Sequence, residues 1–228
     1  MENSGHVGGG SGPWAEVSRR DGVTVWKRYF PPSERGHQYP CVKARGEVDA
    51  PPEKVLAMLT DSARVKEYNS YSVGRTDVAK LGPDTKIVWN RAQPPLSTKL
   101  HDFCTLMHIR PLRDSDAGVL VGAGAENGKA GTGGSFVGGY VMLTRATEHP
   151  RAPILKNHVR SEILLGITVL RPAPGSNGRR TDVTTVTHVV SNGVPVMIAD
   201  RVSARNAADF IINVGRSVSA SSAATARR

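Results

Sequence analysis

Residues 193–215 read GVPVMIADRVSARNAADFIINVG. Pro195 suits the first turn of a helix, where a missing N–H leaves nothing unsatisfied. Met197, Ala204, Ala208, Ile211 and Val218 then recur at helical spacing and define one apolar face. What precedes this helix decides the fold. From residue 72 to 190 the chain reads as strand after strand: SVGRTDVAKL, TKIVWNRA, LHDFCTLMHIRPL, GGYVMLTRAT, HVRSEILLGITVL and TDVTTVTHVV, divided by turns rich in Gly, Pro, Asp and Asn. Consecutive strands without intervening helices imply an antiparallel sheet. A terminal helix must bury its apolar face on that sheet, so the class is α+β and not a doubly wound α/β domain.

Upstream of these strands, VTVWKRYF (23–30) follows the turn dipeptide Asp21-Gly22 and reads as a strand, as does YPCVKARGEV (39–48). DAPPEKVLAMLTD carries prolines at a helix start and an apolar stripe of Val55, Leu56 and Leu59. A second short helix is expected over SARVKEYN, 62–69. The Gly- and Ser-rich start is expected to leave residues 1–19 disordered, with one domain over 20–216 and a small-residue basic tail over 217–228.

Composition narrows the partners. Hydrophobic residues make up 39% and charged residues 22% of the 228, ordinary for a globular protein. No apolar run is long enough to span a bilayer, and the N-terminus has no secretory pattern, which points to the cytoplasm and reduced Cys41 and Cys104. Two cysteines and scattered histidines give no metal site, and no cofactor is expected. The formal net charge of +10 favours anionic partners. Aromatics are only 5%, too few to stack on bases, so nucleic acid is not expected. Transient contact with an anionic membrane surface suits such a face.

GAGAENGKAGTGG, 122–134, tests a nucleotide-binding reading and fails it. A phosphate loop needs a glycine five residues before Gly128 and a hydroxyl residue after Lys129. Ala123 and Ala130 stand there. The dinucleotide pattern begun by Gly122-x-Gly124 meets Asn127 in place of its third glycine. GSFVGGYVMLT follows as a strand, so no helix N-terminus faces a phosphate. The stretch reads as an inter-strand loop.

Several motifs, in order, resemble the START family, the lipid-transfer domains related to the steroidogenic acute regulatory protein. APPEKVLAMLTD followed by RVKEYN looks like that family's first helices. DTKIVWN (84–90) resembles its central strand, and HDF (101–103) stands where the family has Arg-Asp-Phe. EHPRAPILKNHVRSE (148–162) is similar to its His-Pro-x-x-Pro and Val-Arg-x-Glu. NGVPVMIAD and ADF (208–210) match its lid helix. The resemblance covers about 20–215 and leaves out an insertion at about 111–135. It implies a helix-grip fold, a curved antiparallel sheet around the C-terminal helix, with an internal cavity for one lipid. It also implies a protein without catalytic residues, acting as a monomer at membranes only in passing.

The cavity is expected to be lined by Trp89, Asn90, Thr105, Met107, Ile109, Ile163, Met197, Asp200, Ala204, Ala208 and Ile211. Asn90 and Met107 occupy family cavity positions, and Thr105 and Ile109 alternate onto the face of Met107. Asp200 falls on the helix side of Met197, Ala204 and Ile211. There it either faces the cavity or pairs with Arg201 or Arg205. Departures from the family withhold the ligand's name. Asn90 stands where many members have an acid, Met107 where steroid-type members have a base, and Val65 and Asn69 where phosphatidylcholine-type members have Arg and Asp. Two other readings follow from related folds: a polyketide-cyclase type of enzyme, needing an acid–base pair such as Asp200 with a His, and a lipid-responsive regulatory module.

Overall fold

The computed structural model of the protein describes residues 13–95, 97–113 and 138–226. The glycine stretch 122–134 lies outside them. The order is β1 (Ala15–Arg20), β2 (Val23–Arg28), β3 (Cys41–Val48), α1 (Pro52–Thr60), a 3-10 turn (Ser62–Arg64), α2 (Val65–Tyr68), β4 (Ser72–Lys80), β5 (Thr85–Ala92) and β6 (Leu100–Pro111). There follow β7 (Tyr140–Ala146), β8 (His158–Arg160), β9 (Glu162–Pro172), β10 (Thr181–Val190) and α3 (Val196–Ala226). The strands form one sheet in the order β1-β2-β3-β10-β9-β7-β6-β5-β4, antiparallel throughout that path, and β8 adds to β6 in parallel. This is the curved antiparallel sheet with a C-terminal helix expected from the sequence.

Four details differ from expectation. First, β1 begins at Ala15, inside the segment expected to be disordered. Its residues are mostly exposed. The strand forms because Asp21 (φ 50°) and Gly22 (φ 76°) make a two-residue turn that folds it back on β2, and main-chain pairing needs no apolar side chain. Second, α3 continues to Ala226, through the expected tail. Val218 is buried, Ser217 Oγ donates to Glu67 O at 3.2 Å, and the Arg64 guanidinium donates to Ser221 Oγ at 2.7 Å, so the 3-10 turn and α2 together hold this extension. Third, 62–69 is a 3-10 turn plus one α-turn, started by Asp61, whose Oδ1 accepts from Ala63 N–H at 2.9 Å. Fourth, HVRSEILLGITVL is two strands broken at Ser161, whose N–H donates to Asp102 O at 2.9 Å.

The main core lies on one face of the sheet. Val42, Ala44 and Val48 of β3, Val23 and Val25 of β2, Val88, Met107, Met142 and Leu170 pack with Val55, Met58 and Leu59 of α1 and with α3. Gly46 marks the closest approach of α3 to the sheet. A Cβ there would stand 2.8 Å from Val23 Cγ2 and 3.2 Å from Ile211 Cγ2. A smaller cluster of Val78, Ile87, Cys104 and Ala152 lies on the opposite face.

Candidate functional site

The apolar face of α3 changes along its length. Ala208, Ile211, Val214 and Val218 are all 3% exposed or less, at helical spacing. Toward the N-terminus the same face loosens: Ala204 and Ala207 are half-buried and Met197 is 66% exposed. A gap of about 40 Å³ remains there between the helix and the strands, lined by Val42, Thr187, Val189, Ala199 and Ser203 among others. The C-terminal half of α3 is thus a core element, while the N-terminal half rests lightly on the sheet.

Polar contacts hold that half in place. Lys27 Nζ lies 2.9 Å from Asp200 Oδ2 and donates to Asp200 O at 2.7 Å, and Tyr29 donates its hydroxyl proton to Asp200 Oδ1. Asp200 therefore faces β2 and the residues after it, and its partners are neither Arg201 nor Arg205. Burial raises its carboxyl, but hydrogen bonds from Tyr29 and Lys27 and the charges of Lys27 and Arg201 outweigh this, leaving it below the usual value of 3.8. Tyr29 is pushed up to about 12 by burial first and then by its bond to the carboxylate. The buried His101 shares its Nδ1 with Ser161 Oγ at 2.9 Å, and His188 bonds Gly36 O through Nε2 at 3.0 Å. The Asp–His pair that cyclase chemistry would need is not assembled by these residues.

Across the inner face of the sheet the expected residues come together. Thr105, Met107 and Ile109 alternate onto one side of β6. Met107, Ala208 and Ile211 meet in the main core, with Ile109 and Ala204 packed against it. Asn90 Oδ1 accepts from Ser72 Oγ at 3.1 Å. Ile163 joins them because the β9–β10 register shifts between His188 and Val189. A Cβ added at Gly166 would meet both Thr144 Oγ1 and Ile163 Cγ2, and Thr144 pairs with Met107 across β6–β7. Thr105 is 3% exposed, and its Oγ1 has no hydrogen-bond partner among the described residues. A buried hydroxyl in that state is costly and suits a ligand atom as partner.

Trp89 stands apart from this group. It packs against the smaller cluster on the opposite face, with Leu106. Its Nε1 donates to Asp102 Oδ2 at 2.7 Å, and Arg160 Nε donates to the same oxygen at 2.9 Å. The Arg160 guanidinium also binds Ala152 O at 2.9 Å and Pro153 O at 3.2 Å, while Glu162 receives Arg35 at 2.7 Å. The fully buried Asp102 was not among the residues singled out in the sequence. Its signal was an acidic residue inside an apolar strand, which calls for a cationic partner.

A larger pocket, of about 500 Å³, opens elsewhere, between α1 and the β4–β5 hairpin. Its floor includes Leu56, Ala57, Ala79, Ile109 and Tyr140, and its rim carries Glu53, Asp77, Lys80, Asp84 and Lys86. Of the expected lining residues only Ile109 reaches it. Among the described residues no group of three His, Cys, Asp or Glu side chains could hold a metal ion.

This architecture is that of the START domain. Human StAR-related lipid transfer protein 5 superposes with a TM-score of 0.71 at 17% identity, over 92% of this chain and 88% of that one. Human STARD10 gives 0.68 at 20% identity, over 90% and 72%. A STAR-related lipid transfer protein fragment from Xanthomonas axonopodis gives 0.66 at 15% identity, over 91% and 99%. No family model and no curated protein matches the sequence. The chain thus has the START helix-grip fold, and its likeness to these proteins is one of structure.

Proposed function

We propose that the protein binds a single hydrophobic lipid between the inner face of the sheet and the N-terminal half of α3, and moves it between membranes. The observation that carries this reading is the gradient along α3. Its C-terminal half is anchored in the core, while Ala204 and Ala207 remain half-buried against it and a gap lined by Ala199 and Ser203 separates the helix from Val42 and Val189. An apolar ligand seated there would complete their burial, at about 25 cal/mol per Å² removed from water. A bilayer already gives an acyl chain about 0.8 kcal/mol per methylene. The site therefore needs only to match the bilayer, and its contribution is to spare the chain a passage through water. Specificity falls to the few polar groups nearby, Thr105 and Asn90, because an unpaired polar group there penalises the wrong head group. Trp89 and Asp200 are left out of the lining: Trp89 faces away, and Asp200 is engaged with Lys27 and Tyr29.

Native mass spectrometry of the protein from a eukaryotic host, with extraction of any bound species, tests the proposal. One stoichiometric lipid is the expected result. An empty protein that also extracts no lipid from vesicles refutes it.

A further inference from the structure

Helix α1 has two working sides. Val55, Met58 and Leu59 are buried in the main core. Glu53, Leu56, Ala57 and Thr60 recur at i, i+3, i+4 and i+7, and this second stripe forms one wall of the 500 Å³ pocket. The facing wall is the β4–β5 hairpin, with Asp77, Ala79 and Lys80 on β4, Asp84 in the turn and Lys86 on β5. Ile109 of β6 and Tyr140 of β7 close the bottom. The walls are pinned at their spacing. Lys86 Nζ donates to Thr60 O at 2.7 Å, the Arg75 guanidinium donates to Leu59 O at 2.9 Å, and Ile109 N–H donates to Asp84 O at 2.8 Å. The cavity is thus formed before any ligand arrives, and its volume lies within the range of small-molecule sites, about 300–1,000 Å³.

Its charges select the ligand. Asp77 is engaged, since Lys86 Nζ lies 2.8 Å from its Oδ2 and Ser62 Oγ donates to its Oδ1. Glu53 on α1 and Asp84 in the hairpin turn stand on opposite walls, and among the described residues neither forms an ion pair; Lys80 is the one other cation of the rim. An anion entering here would meet two carboxylates against one ammonium, with Lys86 already committed. A plain hydrocarbon would cover Leu56, Ala79 and Ile109 but take water from both carboxylates without replacing it. An apolar body that carries a positive charge satisfies floor and rim together.

We infer that the pocket between α1 and the β4–β5 hairpin is a second binding site, separate from the lipid site, and that it takes a small amphipathic amine. The ammonium is held by Glu53 and Asp84, and the apolar body lies on Leu56, Ala79, Ile109 and the ring of Tyr140. An aromatic body suits that ring, because offset or edge-on contact between rings adds to the area buried.

Titration of the full chain with 1-naphthylmethylammonium, 1-naphthylmethanol and 1-naphthoate, followed by amide chemical shifts, tests it. The ammonium should move the amides of 53–60 and 79–86 at concentrations where the alcohol and the carboxylate leave them in place, and its binding should weaken as salt is added. Glu53→Gln with Asp84→Asn should weaken binding roughly tenfold. Ala57→Phe places a ring in the pocket from an exposed position of α1 and should abolish it. Thermal melts matching the parent establish that the variants fold. Alcohol or carboxylate binding as tightly as the ammonium overturns the inference without any variant, and so do shifts confined to 196–206 or either variant binding as the parent does. Native mass spectrometry keeps the two sites apart. Ala57→Phe should carry lipid as the parent does, and its losing lipid together with the amine would show one shared cavity and overturn the second site. A parent that carries no lipid yet binds the ammonium here removes the lipid reading and leaves this pocket standing.

Discussion

Gly46→Ala is the sharpest probe of how α3 is seated. The added methyl would fall 2.8 Å from Val23 Cγ2, 3.2 Å from Ile211 Cγ2 and 3.4 Å from Gly22 O. Val23 and Ile211 are 2% and 1% exposed, so neither can swing out of the way. Overpacking of this kind costs about 1–3 kcal/mol. Restricting the unfolded chain returns about 0.4–1 kcal/mol. The net is a loss of about 1–2 kcal/mol, or roughly 3–6 °C in Tm for a chain of this size. Thermal unfolding followed by circular dichroism measures it. Adding Val23→Ala removes the nearer methyl, so the double variant should be more stable than the sum of the two single losses by about 1 kcal/mol. A Gly46→Ala protein that melts at or above the parent, or a pair of losses that simply add, would refute the close approach of helix and sheet at this position.

Three further outcomes follow from the polar contacts and the thiols. Arg160→Met strands the fully buried Asp102 carboxylate and should cost about 3–5 kcal/mol, read as a lower urea midpoint. Because Asp200 is depressed in the fold, its contribution is present above its unfolded value of 3.8 and is lost as pH falls through the lower folded value. Tyr29 acts at the other extreme, losing its contribution as pH rises from 10 toward about 12. The protection of the 196–206 amides against hydrogen exchange, taken relative to their intrinsic rates, should therefore fall at both ends of the pH range, and in Asp200→Asn at neutral pH; protection unchanged by that substitution would show that the contact does not hold α3. Cys41 and Cys104 are buried, and burial drives the Cys41 thiol to about 11, so neither should react with a thiol reagent at neutral pH until the protein unfolds.

The sequence by itself determined the fold class and most element types, though not β1 or the end of α3. Period-two patterns in β5, β6 and β10, the Asp21-Gly22 turn and the Pro195 helix start are local signals, each set by main-chain sterics within a few residues. Alternation also placed Thr105, Met107 and Ile109 on one face, and helical spacing placed Ala204, Ala208 and Ile211 on another. The tertiary structure decided what those faces meet. Trp89 and Asn90 are neighbours in one strand, so one must face away, and only the assembled sheet shows that it is the Trp, bound to Asp102 and Arg160. Asp200 lies on the predicted side of α3, yet its partner is Lys27, 173 residues away along the chain. Ile163 reaches the inner face through a register shift that no alternation rule anticipates. The Ser- and Ala-rich end of α3 carries little apolar pattern of its own, and its place against α2 comes from contacts to Glu67 and Arg64. Local geometry is written in neighbouring residues, whereas the choice of partner depends on sheet order and register, which distant segments settle together.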